Sequence, residues 1–318
     1  MDLRKILYLY QIGGTALARK KIIDKITGSK NADKFLYEIF KNADKADYPD
    51  LLKKWYKLKT CEDLNLDDPQ TFNEKIQWLK IYDSTPLKTR LADKYLVRDW
   101  IKEKIGDEYL VPLLGVWDKF DDIDFDALPN QFALKCNHGS NMNVIVKDKS
   151  LMDINKTKEK FDSWMKINYA LTSGLELHYK NIHPKIMAEK YIEQLDNDLI
   201  DYKIHVFNGI PKIIHIIGNR NLEIHKAKEC FLTTDWIPRE LIYHTYDSYK
   251  NIPEKPGNLN ELLEIAEILG KGFSYVRVDL YDLSGKIMFG EMTFTPASGV
   301  GKWKDKKASK LVGSWINL

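Results

Sequence analysis

The stretch that decides the reading runs from Tyr275 to Gly301, YVRVDLYDLSGKIMFGEMTFTPASGVG. Val276, Val278 and Leu280 alternate with Arg277 and Asp279, Leu283-Ser284-Gly285 reads as a three-residue hairpin loop with Gly285 supplying the positive φ, and the chain returns as Lys286 to Thr293. With the loop centred on Ser284, Arg277 faces Glu291 and Asp279 faces Phe289. Arg277, Asp279, Glu291 and Thr293 then share one face, while Val276, Val278, Leu280, Met288 and Gly290 take the other. A slip of one residue would part the two carboxylates. Two acids beside an arginine on an ordered sheet can hold a hard cation, because Mg²⁺ takes oxygen ligands and usually only one or two protein carboxylates. Solvated residues on the wet face of an antiparallel sheet would show the same alternation, so the rest of the chain has to choose.

The 318 residues are 44% hydrophobic and 30% charged with a formal net charge of +3, a globular composition without the basic excess of a dedicated nucleic-acid binder. Cys61, Cys136 and Cys230 are widely spaced and form no metal-like pair, which suits a reducing compartment and a cytosolic enzyme. No run reaches the length of a membrane span. Near the start, Arg4-Lys5, an apolar run from Ile6 and Ala16-Leu17-Ala18 imitate a signal peptide, against which stand Asp2, Gln11 and Gly13-Gly14. Leu3, Ile6, Leu7 and Tyr10 also fall at helical spacing ahead of Arg19-Lys20-Lys21. Core or domain packing is the first reading of that helix, contact with a membrane surface the second and a cleaved signal the third.

To about Asp68 the pattern is helical and lysine-rich, with helices expected over 33–42 and 49–58. Asn73 to Tyr82 reads as a helix capped by Thr71 or Asn73, and Thr85-Pro86 as N-cap and N1 of a longer helix towards Ile105, with Asp93-Lys94 in its middle third. After Val111-Pro112 the texture becomes α+β: strands over 132–136, 143–146 and 186–191, with a helix over 155–167. The polar run Glu193 to Asp198 reads as a hinge before strands over 202–208 and 211–217, a helix over 259–269, and the hairpin.

Phe132 to Val146, FALKCNHGSNMNVIV, is two strands joined by a loop of small and amide residues. Lys135 lies late in the first strand, where its ammonium could meet a phosphate, and Gly139 and Ser140 would let backbone N–H groups approach an anion. Neither G-x-x-x-x-G-K-[ST] nor G-x-G-x-x-G occurs. IMAEKYI, ending at Ile192, is a strand whose end could offer backbone and Glu189 or Glu193 to an adenine or ribose, and Lys203 adds a cation on the next strand.

The succession FNEKIQWLK, LADKY, LPNQFALKCNHGS, IMAEKYIE, DYKIHVFNG and GEMTFTPASG resembles the TupA-like branch of the ATP-grasp superfamily, over about Thr71 to Gly301. The resemblance implies an α+β fold of two lobes clasping ATP, with a helical extension over 1–70. A first grasp part carrying the phosphate loop would occupy 71–195, and a C-terminal lobe with a magnesium site 196–318. It implies phosphate contacts at Lys94 and Lys135, and a lid over the phosphates at 137–143 that includes His138, Gly139 and Ser140. The adenine edge falls at Glu189, Lys190, Tyr191 and Ile192, with Lys203 near phosphates or ribose. Asp279 and Glu291 become magnesium carboxylates and Arg277 a clamp on phosphate or acceptor carboxylate, so that Lys135 and Arg277 carry catalysis. Where many members have asparagine this chain has Thr293, the expected third magnesium ligand.

The activity so implied is ATP-dependent carboxylate–amine ligation through an acyl phosphate. It would act on a uronic-acid carboxyl of a bacterial surface saccharide, with an amino acid or small amine as second substrate, in the cytoplasm or at the inner face of its membrane. Thr295-Pro296-Ala297-Ser298-Gly299 would be the acceptor rim. Trp78, Trp117, Trp164, Tyr169 and Tyr179 are expected mostly in the core rather than stacked on sugars. The alternative is a glycosyltransferase of polysaccharide biosynthesis, for which Asp122-Ile123-Asp124 has the D-x-D spelling in an acidic turn.

Overall fold

The computed structural model describes residues 3–27, 30–192, 199–221, 226–241 and 246–318. The chain opens with three helices, α1 (Leu3–Thr27), α2 (Asn31–Asn42) and α3 (Tyr48–Thr60). Gly13 and Gly14 break α1, the latter at φ 63°, a conformation that glycine adopts without a Cβ penalty. Leu17, Phe40, Leu52, Trp55 and Tyr56 form a core for these helices, joined by Leu171 and Leu175 from the body. The expected apolar stripe on α1 is not its buried face: Leu7 and Tyr10 are about half exposed, whereas Leu9 and Leu17 are enclosed.

Helix α4 (Phe72–Tyr82) begins in a capping box, with Glu74 N–H donating to Thr71 Oγ1 and Thr71 N–H to Glu74 Oε2. Thr85 and Pro86 open α5 (Pro86–Ala92) as expected, but the helix does not run on to Ile105. Asp93 turns extended, and its Oδ1 accepts the N–H groups of Tyr95 at 2.8 Å and Leu96 at 3.1 Å before α6 (Val97–Lys104) starts. Aspartate competes with the helix for its own backbone in this way, and the break sets Lys94 on a corner.

Two sheets follow, antiparallel throughout except for the parallel pair of β7 and β8 at one edge of the larger. One has the order β1-β4-β2-β3, with β1 (Leu113–Trp117), β2 (Phe132–Cys136), β3 (Asn143–Val146) and β4 (Ile186–Lys190). Helix α7 (Ile154–Trp164) covers its apolar side, where Phe161 meets Phe132, Leu134, Ile186 and Ala188. The second sheet contains β5 (Asp201–Phe207), β6 (Ile210–Asn221), β7 (Lys226–Leu232), β8 (Asp247–Ser248), β9 (Tyr275–Leu283) and β10 (Lys286–Thr293) in the order β10-β9-β5-β6-β7-β8. Helix α8 (Leu259–Gly270) packs Leu262, Ile265, Ala266 and Leu269 against Ile204, Val206, Val276 and Val278 of that sheet. The last helix, α9 (Lys306–Gly313), brings Val312 to Phe72 and Ile76 of α4. The expected hinge, 193–198, lies outside the described residues.

The hairpin departs from the sequence expectation in a useful way. Its loop has two residues, Ser284 and Gly285, both at positive φ, and Lys286 pairs with Leu283. That register alone would place Asp279 opposite Gly290 and send Glu291 to the Val278 face. A bulge between Phe289 and Glu291 restores the pairing, so that Asp279 faces Glu291 and Arg277 faces Thr293. All four polar residues therefore share a face, by other partners than expected, and Phe289 joins the apolar core instead of facing Asp279.

Candidate active site

Between the sheets lies a cavity of about 640 Å³. The first sheet contributes Ala133, Lys135 and Glu189, and the loop after β2 contributes Gly139 and Ser140. The second contributes Lys203, Arg277, Asp279 and Glu291. Alternation along β2 decides the split: Phe132 and Leu134 enter the core with α7 while Ala133 and Lys135 turn to the cavity.

Asp279 is the hub of the larger sheet's wall. Arg277 grips it in a fork, Nε donating to Oδ1 at 2.6 Å and Nη2 to Oδ2 at 2.7 Å, while Lys203 donates to Oδ2. Burial alone would raise the Asp279 pKa, but Arg277 and Lys203 overcome it and hold the carboxyl below the usual range. Lys203 also pairs with Asp201 at 2.7 Å. Glu291 lies 3.6 Å from Arg277 and 3.4 Å from Lys94. Its burial is likewise outweighed, by Lys94 above all, and it too is held low. Thr293 Oγ1 accepts from Arg277 at 3.1 Å and donates to Glu291 Oε1 at 3.2 Å, which places its hydroxyl between the two.

Lys94, from the break between α5 and α6, ties this wall to the loop by donating to Gly139 O at 2.9 Å. The loop is anchored further back, where Asn137 Nδ2 donates to buried Asp93 Oδ2 at 3.0 Å and Lys94 N–H donates to Asn137 O at 3.1 Å. The missing side chain of Gly139 has a packing reason, since a Cβ there would come within 2.6 Å of the Tyr169 ring. On the opposite sheet Lys135 donates to Glu189 at 2.6 Å, and Arg98 reaches the same carboxylate at 3.3 Å.

Of the expected site residues, Lys94, Lys135, Gly139, Ser140, Glu189 and Lys190 line the cavity, as do Tyr191, Ile192, Lys203, Arg277, Asp279 and Glu291. His138 does not: it is buried behind the loop with Nε2 3.1 Å from Trp164 O. Thr293 stands beside Glu291 without lining the cavity itself. Trp78, Trp117, Trp164, Tyr169 and Tyr179 also stay out of the lining, and Trp117, Trp164 and Tyr169 pack on the core under the first sheet. Asp122 and Asp124 are exposed in a surface turn apart from the cavity, and Asp124 Oδ1 accepts N–H bonds from Asp126 and Ala127, so the D-x-D spelling is local turn chemistry.

Arg98, Asp201, His205 and His215 also line the cavity, although no sequence motif singles them out. Three of them had a signal. Arg98 follows Lys94 by one helical turn, and Asp201 and His205 flank Lys203 at strand alternation. His215 is brought opposite Lys203 only by the pairing of β5 with β6.

Six cations (Lys94, Arg98, Lys135, Lys190, Lys203, Arg277) face four carboxylates (Glu189, Asp201, Asp279, Glu291) in this lining, a net positive field fit for a polyanion. Among the described residues no group of three His, Cys, Asp or Glu side chains could cage a metal. The adjacent Asp279 and Glu291 pair offers oxygen donors alone, which fits a hard cation that takes the rest of its shell from a phosphate ligand and water.

A sequence model of TupA-like ATP-grasp proteins matches residues 74–317. No curated protein sequence matches the chain. Among solved structures, it is similar to D-alanine–D-alanine ligase from Bacillus anthracis complexed with ATP, at 18% identity and TM-score 0.43 over 71% of this chain and 65% of that one. D-alanine–D-alanine ligase from Helicobacter pylori is similar at 14% identity and TM-score 0.40, over 78% of this chain and 70% of that one. The chain spans less than two thirds of the length of the Bacillus anthracis enzyme.

Proposed function

The chain belongs to the TupA-like ATP-grasp family, and on that premise we propose that it is an ATP-dependent carboxylate–amine ligase that makes an amide through an acyl phosphate. The observation that carries the reading is the wall where Asp279 and Glu291 stand opposed, gripped by Lys94, Lys203 and Arg277, across one cavity from Lys135. Such a wall suits a triphosphate and its cation.

In this reading Lys94, Lys135 and Lys203 bind phosphates under the loop at 137–143, while Glu189 and the backbone from Lys190 to Ile192 receive the base. His138 then supports the loop from behind. Asp279 and Glu291 would hold Mg²⁺, with the Thr293 hydroxyl alongside; the ion supplies charge neutralisation on the phosphates when bound. Arg277 sits next to the metal carboxylates and stabilises charge as the phosphoryl group moves to the substrate carboxylate. Orientation of the two substrates contributes up to about 7–11 kcal/mol, and no enzyme nucleophile is needed. The lobes 71–195 and 196–318 close on the nucleotide and keep water from the acyl phosphate.

The acceptor we propose is a uronic-acid carboxyl of a surface polysaccharide or its precursor, and the second substrate an amino acid or small amine. Pro296 and Ala297 line the cavity at its rim, where an acceptor would enter. Peripheral contact with the inner face of the cytoplasmic membrane belongs to the same proposal. It is supported by Arg4, Lys5, Arg19, Lys20, Lys21 and Lys25 on α1, beside the exposed Leu7, Tyr10, Ile22 and Ile23. No helix among the described residues is long and apolar enough to cross a membrane.

ADP and phosphate release by the full chain with ATP, Mg²⁺, a panel of uronic acids and a panel of amines tests the reading. Turnover should require one member of each panel. Consumption of a UDP-sugar without any need for ATP would overturn it.

A further inference from the structure

Beyond Lys203, the polar face of the larger sheet continues to two imidazoles. Strand alternation puts His205 on the face of Lys203 and Asp201, the pairing of β5 with β9 sets it opposite Arg277, and the pairing of β5 with β6 sets His215 opposite Lys203. Both rings line the cavity, with centroids 6.2 Å apart. His215 is fully engaged on one side: Nε2 is 3.0 Å from Glu229 Oε2 and the ring stacks on Phe231 at 4.1 Å. His205 is not. Its Nδ1 is 2.8 Å from Tyr275 Oη, but its Nε2 is enclosed and has no hydrogen-bond partner.

An enclosed ring nitrogen left bare is costly and needs a reason. Its surroundings indicate which ligand would satisfy it. Arg277 on β9, Lys203 on β5 and His215 on β6 face it together with Tyr275 and Phe231, whereas the nearby carboxylates are taken, Asp279 by Arg277 and Lys203 and Glu229 by His215. Burial first, and then the charges of His215, Arg277 and Lys203, drive the His205 pKa well below its ordinary value, so the ring is neutral at neutral pH. The Tyr275 hydroxyl can donate to Nδ1, and the tautomer that accepts it carries the ring proton on Nε2, a donor suited to this cationic setting. An anion fits that site and an ammonium does not.

We propose that His205 is a specificity-determining residue whose Nε2–H binds the substrate carboxylate beside Arg277. The reading rests on the ligase assignment. His205 and Arg277 lie two residues along their strands from Lys203 and Asp279, roughly 7 Å. A carboxylate there lies next to a phosphate held at Lys203 without competing for its place.

The test compares the full-length protein with His205→Leu, which removes the donor, and His205→Gln, whose amide can restore it. ADP release is followed with ATP and Mg²⁺ against acetate, D-glucuronate and D-galacturonate, with glycine or ethanolamine as the amine. The expected result is that His205→Leu raises the KM for the carboxylate that the wild type uses at least tenfold. The KM for ATP should stay within twofold, and His205→Gln should recover most of the loss. An unchanged carboxylate KM in His205→Leu, or an ATP KM that rises equally, overturns the assignment of His205 alone. A wild type whose ADP release no carboxylate stimulates overturns the ligase reading and this one with it.

Discussion

Lys80→Met removes one ammonium from the interior and should expose how the cavity rim is held. Lys80 is fully enclosed on α4, its Nζ donating to the carbonyls of Ser298 at 2.6 Å, Gly174 at 3.1 Å and Ser173 at 3.2 Å. It lies 4.6 Å from the Trp55 ring centroid and is the cation nearest in effect to buried Glu176, which accepts the hydroxyls of Thr295 and Ser298. Together they clamp a turn in which Ala297, Ser298 and Gly299 all have positive φ. The two non-glycine residues cost about 1–2 kcal/mol each in that conformation. Methionine keeps the length of the side chain but strips three carbonyls of a donor and leaves Glu176 buried without its cation. Leaving a buried acceptor without its donor costs about 1–3 kcal/mol, and withdrawing the nearby positive charge from Glu176 adds to that. We therefore expect Lys80→Met to lose about 3 kcal/mol in urea unfolding. Lys80→Met with Glu176→Gln should lose less than Lys80→Met alone, since the uncompensated charge is then gone. The pH dependence gives a second check. Burial draws the Lys80 pKa from 10.5 down to about 8, so the unfolded chain binds the extra proton between those values and this group makes stability rise with pH across that window. Lys80→Met should flatten that rise. A loss under about 1 kcal/mol, with the rise intact, would refute the clamp.

Glu291→Gln and Asp279→Asn should both abolish ADP release, but only Asp279→Asn should also cost about 3–5 kcal/mol by thermal or urea unfolding, because Arg277 loses its buried fork partner and Lys203 one of its two carboxylates. Since Asp279 is held below the usual carboxylate range, its contribution is complete above the unfolded pKa and is lost as pH falls through the depressed folded value. Asp279→Asn should therefore unfold with a weaker acid dependence than the wild type, and identical acid profiles would contradict the pairing. Gly290→Val sets a Cβ 3.0 Å from the Asp279 carbonyl oxygen and 3.1 Å from the Tyr281 ring. It should cost about 1–3 kcal/mol and remove turnover, whereas full activity would show that the bulge is dispensable. Asn137→Ala cuts the loop from Asp93 and should weaken ATP affinity about tenfold by calorimetry, with unchanged affinity counting against the loop as a phosphate lid.

Local chemistry was legible in the residues. β2 and β3 begin and end where alternation and the small-residue loop place them, and α4 starts at the Thr71 cap because a capping box is settled within four residues. The hairpin was legible as a hairpin, and its polar face as a face, since side-chain period along a strand is a property of the strand itself. The family resemblance joined these pieces in order and covers the body of the chain. The bulge at Gly290 was not legible, because a glycine between Phe289 and Glu291 looks the same whether or not Asp279 lies opposite. Nor was the break at Asp93, where a residue that can sit in a helix instead caps the next turn and binds Asn137, far along the chain. Burial of His138 behind its loop, the bare Nε2 of His205 and the clamp of Lys80 on Ser298 likewise depend on partners 26 to 218 residues away. By itself the sequence determined most of the elements that line the site, the order of the motifs and the charge types available for a polyanion, since each follows from near neighbours. The tertiary structure alone decided which carboxylate faces which cation and which nitrogen stays unpaired, because register and burial are set by long-range pairing between strands and helices that no local pattern encodes.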